Sequence, residues 1–543
     1  MVCTYCRNLK EIKFNNNTLT KNLETMESMF EACESLENIN TKIFRENKLR
    51  NLNHVFNYCS SLKVIDFSYF ETKYITELEN TFGSCNSLEI INFTNFDTSK
   101  VERMDYMFYY CQSLTYLDLS GFNLENLKNS SAMFGYCSNL KEIKFNNNSL
   151  TKNLESMEGM FFDCESLEKI DTKIFRQNKV RNLNQVFYKC FSLKKIDLSY
   201  FETKYMNELS ETFENCISLE TINFTNFDTS KVERMDYMFY GCESLTYLDL
   251  SSFNLEKLKN STLMFAYCRN LTEIKFNNNT LTKNLETMES MFEACESLEN
   301  INTKIFRENK LRNLNHVFCN CSSINEIDLS HFETKYITEL ESTFQDCKNL
   351  EKINLTNFNT SKVKSINNIF NGCINLKAVD ISMFNMSNLI DASFAFLDCQ
   401  SLESIYLPEQ MLSLELTNNM FQNCYNLTYI NSEFLKGASQ WKSSISMFEG
   451  CKSLNDVNFP FVEANLLNNT SRMFLGCSSL TSINLEGLTA GNITSMDYMF
   501  SGCINLIYLN IYNLNTDNNP SCYQIFEGVS KKIKIIFLMV VSI

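Results

Sequence analysis

Cysteine is the residue of this chain with the most chemistry to offer, because a thiolate can ligate a metal, form a disulfide or attack an electrophile. There are 23 in 543 residues. From Cys6 through Cys33, Cys59 and Cys85 to Cys503, twenty of them follow one another at intervals of 25, 26 or 27 residues; Cys3, Cys319 and Cys522 fall off the series. One thiol per repeat does not give zinc four ligands around one point. If each lies on a packed helix, neighbours are about 8 to 10 Å apart, beyond an ordinary disulfide. The column is therefore expected to be small buried filler, consistent with the burial preference of cysteine, and no metal or other cofactor is expected. Cys3 with Cys6, and Cys319 with Cys321, are isolated pairs that give a modest signal for a reactive or disulfide-forming exception.

Acids and tyrosines recur with the same period. One position of each unit reads Asp66, Asn92, Asp118, Lys144 and onwards to Asp249, Lys275 and Asp380. Aspartate is flanked by asparagine or lysine, with Asp171 beside Asp197 the exception. On adjacent parallel strands a carboxylate next to an amide or ammonium hydrogen-bonds, whereas like charges repel. A stacking ladder is expected, with a ligand-contacting strip as the alternative; calcium wants its acids clustered. Two residues earlier stand Tyr116, Tyr247, Tyr429 and Tyr508, with Tyr406 and Tyr512 near them. Exposed aromatics on one face are the usual binding anchors. The possible binding strip is thus Tyr116, Asp118, Tyr247, Asp249, Tyr406, Tyr429, Tyr508 and Asn510.

Catalysis finds little support. Of three histidines, His54 and His316 are copies of one position whose middle counterpart is Gln185, and His331 stands where Tyr69 and Tyr200 do. With 13 glycines there is neither a G-x-G-x-x-G nor a phosphate loop. No enzyme is expected. A net charge of −15 disfavours nucleic acid and anionic membrane as partners.

The elements that must position these residues follow from the repeat. In Met104 to Asn129, Leu114, Leu117, Leu119 and Phe122 give L-x-x-L-x-L-x-x-F, whose alternating part predicts a strand over Tyr116 to Ser120 with Leu117 and Leu119 inward. Upstream, Val101, Met104, Phe108 and Cys111 at spacings 3, 4 and 3 predict a short amphipathic helix, capped by Ser99 and Glu102. The glutamates Glu24, Glu27, Glu31 and Glu34 would form its solvated ridge. Neither element is stable alone, so each unit buries its apolar side against its neighbours. The L-x-x-L-x-L unit is that of leucine-rich repeats, with a parallel sheet inside and helices outside.

The segment M-F-x-x-C-x-S-L, seen in Met107 to Leu114, Met29 to Leu36 and Met291 to Leu298, resembles the BspA-like leucine-rich-repeat surface proteins over nearly the whole chain. The resemblance implies an α/β repeat fold, a right-handed leucine-rich-repeat-like solenoid of about 21 units with a parallel sheet on the inner face and short helices on the outer. It further implies a non-enzymatic, adhesin-like surface protein that binds a protein or glycan, at the cell surface or outside the cell. The alternative is an intracellular scaffold or adaptor in the cytoplasm, favoured by unpaired cysteines. The expected organisation is one solenoid over 1–528, made of duplicated blocks 6–136, 137–267 and 268–398 and divergent units 399–528. A last, apolar strand over 529–543 is read as truncated. Glu11 to Phe56 repeats residue for residue as Glu273 to Phe318. No signal peptide is legible at the start, and Ile533 to Ile543 is too short to span a membrane. A unit opened at Met1 and an apolar end at Phe537 to Val541 suggest a piece of a longer protein.

Overall fold

The computed structural model describes residues 3–14, 20–146, 148–277, 280–514 and 518–536. They form two compact units, 1–280 and 281–543, each a stack of coils most of which contribute one short parallel strand. In the first unit Val64–Asp66 pairs with Ile90–Asn92, Tyr116–Leu119 with Glu142–Phe145, and Tyr247–Leu250 with Glu273–Phe276. In the second, Glu326–Asp328 pairs with Lys352–Asn354 and Ala378–Asp380 with Ser404–Tyr406, while Asp456–Asn458, Ser482–Asn484, Tyr508–Asn510 and Lys534–Ile536 make a four-stranded sheet. Register follows the repeat: Leu117 faces Ile143, 26 residues on. Leu117 and Leu119 are buried as expected. Ile535 faces Leu509 and Phe526 stacks on Phe500, so the last unit continues the pattern although its cysteine is replaced by Val529. The apolar end from Phe537 onwards, and Met1 with Val2, lie outside the described residues.

The outer side is not helical. Among the described residues the only helices are four single turns of 3-10 type: Thr41–Phe44 follows the strand Asn38–Ile39, while Thr172–Phe175, Thr303–Phe306 and Ser432–Leu435 stand in coils without a strand before them. Where the stripe predicts a helix the chain makes tandem turns. In the coil around Cys59, the N–H groups of His54, Phe56 and Tyr58 donate to carbonyls of the next coil, Glu79, Thr81 and Gly83, at 2.9, 3.0 and 2.7 Å. The alternate N–H groups of Val55, Asn57 and Cys59 donate three residues back within the coil. A helix spends every N–H on its own i−4 carbonyl, so this alternation excludes one. It also fits the spacing: helices pack 8 to 10 Å apart and strands about 4.8 Å, and a turn ladder lets both sides of a coil stack at the strand repeat. Each turn run needs two left-handed residues four apart, for example His54 (φ 56) and Tyr58 (φ 60). The predicted cap is absent with its helix. Ser99 N–H donates to Asp97 Oδ1 at 2.8 Å, and Glu102 pairs with Lys128 at 2.7 Å. The acids Glu27 and Glu31 accept from Asn51 and Asn57 of the next coil.

The core is organised around two files. The phenylalanine three residues before each column cysteine stacks on its counterpart in the next coil. Ring centroids are 5.5 Å apart for Phe187 and Phe213 and 5.8 Å for Phe213 and Phe239, with planes within 6°. The cysteine beside it is fully buried, but it is more than filler. Cys59 Sγ donates to the carbonyl of Phe30, Cys85 to that of Phe56 and Cys111 to that of Phe82, each at 3.1 Å. The file continues in the second unit from Cys321 to Cys503. The expected helical spacing therefore does not keep the thiols apart. Their side chains project in parallel, and each is turned to a carbonyl instead of to its neighbour, which is incompatible with disulfide geometry. The exceptions also hold free thiols: Cys319 is buried, and Cys6 and Cys522 are exposed.

Candidate functional site

The polar position at the end of each strand is an Asx turn before it is anything else. Asp118 Oδ1 accepts the N–H of Ser120 at 2.9 Å, Asp249 that of Ser251 at 2.9 Å, Asp380 that of Ser382 at 3.0 Å and Asn354 that of Thr356 at 3.1 Å. A side-chain oxygen that captures the N–H two residues on ends the strand and turns the chain. This explains why the position tolerates only Asp or Asn in most coils. Lateral bonds of the expected ladder are added where the partner allows. Asn92 donates to Asp66 at 3.0 Å, Lys144 to Asp118 at 3.1 Å and Lys275 to Asp249 at 3.0 Å. Asp171 and Asp197 avoid conflict by each capping its own turn, on Lys173 and Ser199.

In the first unit the predicted tyrosines sit beside this polar line. Tyr116 is 48% and Tyr247 44% exposed, and their hydroxyls lie 3.5 and 3.4 Å from Asp118 and Asp249. The duplicated blocks thus carry the same Tyr–Asp–Lys group. Partial burial of Asp249 would raise its pKa, but hydrogen bonds from the Ser251 side chain and N–H and from Lys275 prevail and hold it at about 2. Both acids are therefore carboxylates already neutralised by lysine, which suits them to orient a ligand and not to move a proton.

In the second unit Tyr406 is 59% and Tyr429 66% exposed. They stand on successive coils, and register places Tyr406 opposite Asp380. Asp380 lines a cleft of about 630 Å³ together with Asn354, Thr356, Met383 and Asn385, with Met383 almost wholly in solvent. A cleft of about 380 Å³ recurs 131 residues earlier, at Asn223, Thr225 and Asp249. Tyr508 is only half-exposed. Asn510 is buried, its amide donating to Glu486 at 3.1 Å and its oxygen accepting from Tyr512 N–H, so it shapes a turn and offers nothing to a ligand. The structure places Tyr116 beside Asp118, Tyr247 beside Asp249 and Tyr406 opposite Asp380. Met383 was missed; its signal is an apolar residue at the turn position that holds Gly121, Ser252 and His331 in other coils. Among the described residues no three acid, histidine or cysteine side chains converge to hold a metal, and no helix is long and apolar enough to cross a membrane.

Comparison with known proteins agrees with this architecture. The model of the family described as "Mycoplasma protein of unknown function, DUF285" matches residues 24–148, 50–174, 141–219, 181–306 and 312–434. That of the BspA type leucine rich repeat region, a six-copy model, matches 392–531. No curated protein matches. Among solved structures the chain is similar to a leucine-rich repeat protein from Bacteroides ovatus, with 22% identity over 66% of this chain and 88% of that one and a TM-score of 0.42. A leucine rich cell surface protein from Faecalibacterium prausnitzii shows 18% identity over 68% and 82% of the two chains, with a TM-score of 0.30. Another such protein, from Eubacterium ventriosum, shows 14% identity over 68% and 79%, with a TM-score of 0.27. With the first model covering three quarters of its length, the chain belongs to the DUF285 family, and its residues 392–531 match the BspA-type leucine-rich repeat.

Proposed function

We propose that the protein is a non-enzymatic, adhesin-like surface scaffold whose strand face binds a protein or glycan partner through tyrosines set on rigid coils. The observation that supports this most is the pair Tyr406 and Tyr429, more than half exposed on successive coils, with Tyr406 opposite Asp380 of the Asn354–Asp380–Met383 cleft. Two planar, hydroxyl-bearing rings beside amide, hydroxyl and carboxylate groups offer stacking with directional hydrogen bonds, which is what sugar rings and peptide side chains require. Tyr116–Asp118–Lys144 and its copy Tyr247–Asp249–Lys275 supply a second, repeated strip. The reading as one solenoid over 1–528 belongs to this proposal.

The alternative, an intracellular adaptor, drew on the unpaired cysteines. Burial removes most of that support: the column thiols are shielded and pushed up, Cys137 and Cys268 to about 12, so they are inert in an oxidising exterior as well. The test is capture of arrayed glycans and purified matrix proteins by the whole chain. Loss in the double variant Tyr406→Ala/Tyr429→Ala, with Tyr58→Ala unaffected, supports the strand face. The reverse pattern moves the site to the turn side and overturns the assignment.

A further inference from the structure

The turn side of the first unit carries a second aromatic assembly. Tyr106, Tyr109, Tyr136 and Phe162, from three successive coils, surround a cavity of about 380 Å³ that also has Glu158 and Gln185 in its wall. The rings meet edge to face: Tyr106 on Tyr109 at 5.3 Å and 84°, Tyr109 on Tyr136 at 5.4 Å and 88°, Tyr136 on Phe162 at 5.0 Å and 64°. This differs from the flat file of the core. One face of Tyr136 is covered by Tyr110 at 4.2 Å and one face of Phe162 by Tyr188 at 4.7 Å; the ring surface left in the cavity wall carries the negative side of the aromatic quadrupole. Gly135 makes the arrangement possible, since a Cβ there would stand 2.9 Å from the Tyr109 ring.

One acid stands in the wall and a second lies near it. Glu158 is exposed and has no ion-pair partner among the described residues. Behind Tyr136, Asp163 has a buried carboxylate oxygen with no hydrogen-bond partner. The same aromatic file already takes one cation at its far end, where Lys189 Nζ lies 5.2 Å over the Tyr188 ring that stacks on Phe162 at 4.7 Å.

The duplicated blocks act as an internal control. One period of 131 residues later the equivalents of Tyr110, Ala132, Gly159 and Phe162 are Gly241, Leu263, Ser290 and Glu293, and two periods later Tyr106, Tyr109 and Tyr136 become Asn368, Asn371 and Asp398. Coils stack without these aromatics, so stacking does not require them.

We propose that the Tyr106–Tyr109–Tyr136–Phe162 cage, with Glu158 on its rim, binds a trimethylammonium group of the choline type. A compact cation without hydrogen-bond donors suits walls made of ring faces, and the nearby carboxylates and a chain of net charge −15 favour it over an anion. The open side of the cavity lets the remainder of the ligand lie in solvent, whether the headgroup is free or belongs to a lipid.

The experiment titrates the whole chain with choline chloride and with its neutral isostere 3,3-dimethylbutanol, followed by saturation-transfer NMR and calorimetry. Choline is expected to bind with a Kd of roughly 0.1–10 mM, and the isostere about tenfold more weakly or not at all. Tyr109→Ala is expected to abolish binding. Glu158→Gln, on the surface and harmless to folding, should weaken it several-fold, while Tyr247→Ala on the strand face leaves it unchanged. Phosphatidylcholine vesicles captured and then released by choline assign the lipid headgroup; choline binding without vesicle capture assigns the free one. Equal binding of the isostere, preference for a neutral sugar, vesicle capture that choline does not compete, or no choline binding overturns the proposal.

Discussion

The phenylalanine file makes the sharpest quantitative prediction about how the coils hold together. Phe213 is wholly buried and stacked on both sides, at 5.5 Å on Phe187 and 5.8 Å on Phe239. Replacing it by alanine removes a ring of about 150–200 Å² of buried surface, which at about 25 cal/mol per Å² is about 4–5 kcal/mol. That agrees with the roughly 3–5 kcal/mol usual for Phe→Ala in cores. Phe213→Leu keeps most of the volume and forfeits the two ring pairs, about 0.5–1.5 kcal/mol each, so it should cost about 1–3 kcal/mol. Because a stacked array couples nearest neighbours only, the loss should be local. Urea unfolding gives the size and amide hydrogen exchange the place. Protection should fall first at Phe187 N–H, which donates to Thr212, and at Phe213 N–H, which donates to Met238, and last in distant coils. A loss below about 1 kcal/mol for alanine, or protection lost evenly along the unit, would refute the view that the file carries the stacking.

Four further outcomes follow from named groups. Glu214 is pushed up to about 7 by burial and by Glu211. Its contribution to stability is whole below the unfolded value near 4.5 and is lost as pH rises through 7; Glu214→Gln should raise the melting temperature at pH 8 and leave it unchanged at pH 4. The buried thiols set an alkaline limit, since Cys137 and Cys268 stay neutral to about 12 while unfolded thiols ionise near 9; stability should decline steadily above pH 9 and less steeply in Cys137→Val/Cys268→Val. A native thiol titration should label Cys6 and Cys522 rapidly and the buried column from Cys33 on only after denaturant, whereas a disulfide-linked column would stay unlabelled in denaturant until reductant is added. Gly487→Ala should cost about 1–3 kcal/mol, because its Cβ would meet the backbone oxygens of Pro460 and Phe459 at 2.5 and 2.6 Å and pry apart Val462–Glu463 and Leu488–Thr489.

The strand half of each coil was legible because its signal has one physical meaning. Alternation at Leu117 and Leu119 can only place both on one face of an extended chain, and the cysteine interval fixed the register that pairs Leu117 with Ile143. The stripe Val101, Met104, Phe108, Cys111 is ambiguous in a way the alternation is not. Tandem turns return a side chain to the core every three or four residues, as a helix does, so period alone does not separate them. A second signal did. The residue before the column cysteine is glycine at 241, 372, 450, 476 and 502 and asparagine or aspartate at 163, 215, 320, 346, 398 and 423, and each of these is left-handed. A helix with a left-handed residue in every last turn, followed at once by another buried position, is not a helix. The ring cluster on the turn side is illegible for a related reason, since Tyr106, Tyr109, Tyr136 and Phe162 meet only through the turn geometry that period alone does not reveal.

What the turn ladder changes is the division of labour within a coil. A helical back would tie stability to helix-forming residues all along the outer side, leaving little freedom there. Here the backbone itself supplies the outer bonds, coil to coil, while the Phe and Cys files and the buried threonines hold the inside; Thr98, for example, accepts the N–H of Asn123 and donates to its carbonyl. Side chains between these fixed points are free to vary. The blocks show it: at one turn-side position Glu31, Phe162 and Glu293 interchange, while Phe30, Phe161 and Phe292 beside them do not. Such a scaffold acquires a recognition surface by substitutions that leave its stacking energy untouched. On the two proposals made above, specificity lies with exposed aromatics, Tyr406 and Tyr429 on one side and the Tyr106–Phe162 group on the other, and their replacement should alter binding while urea midpoints stay put.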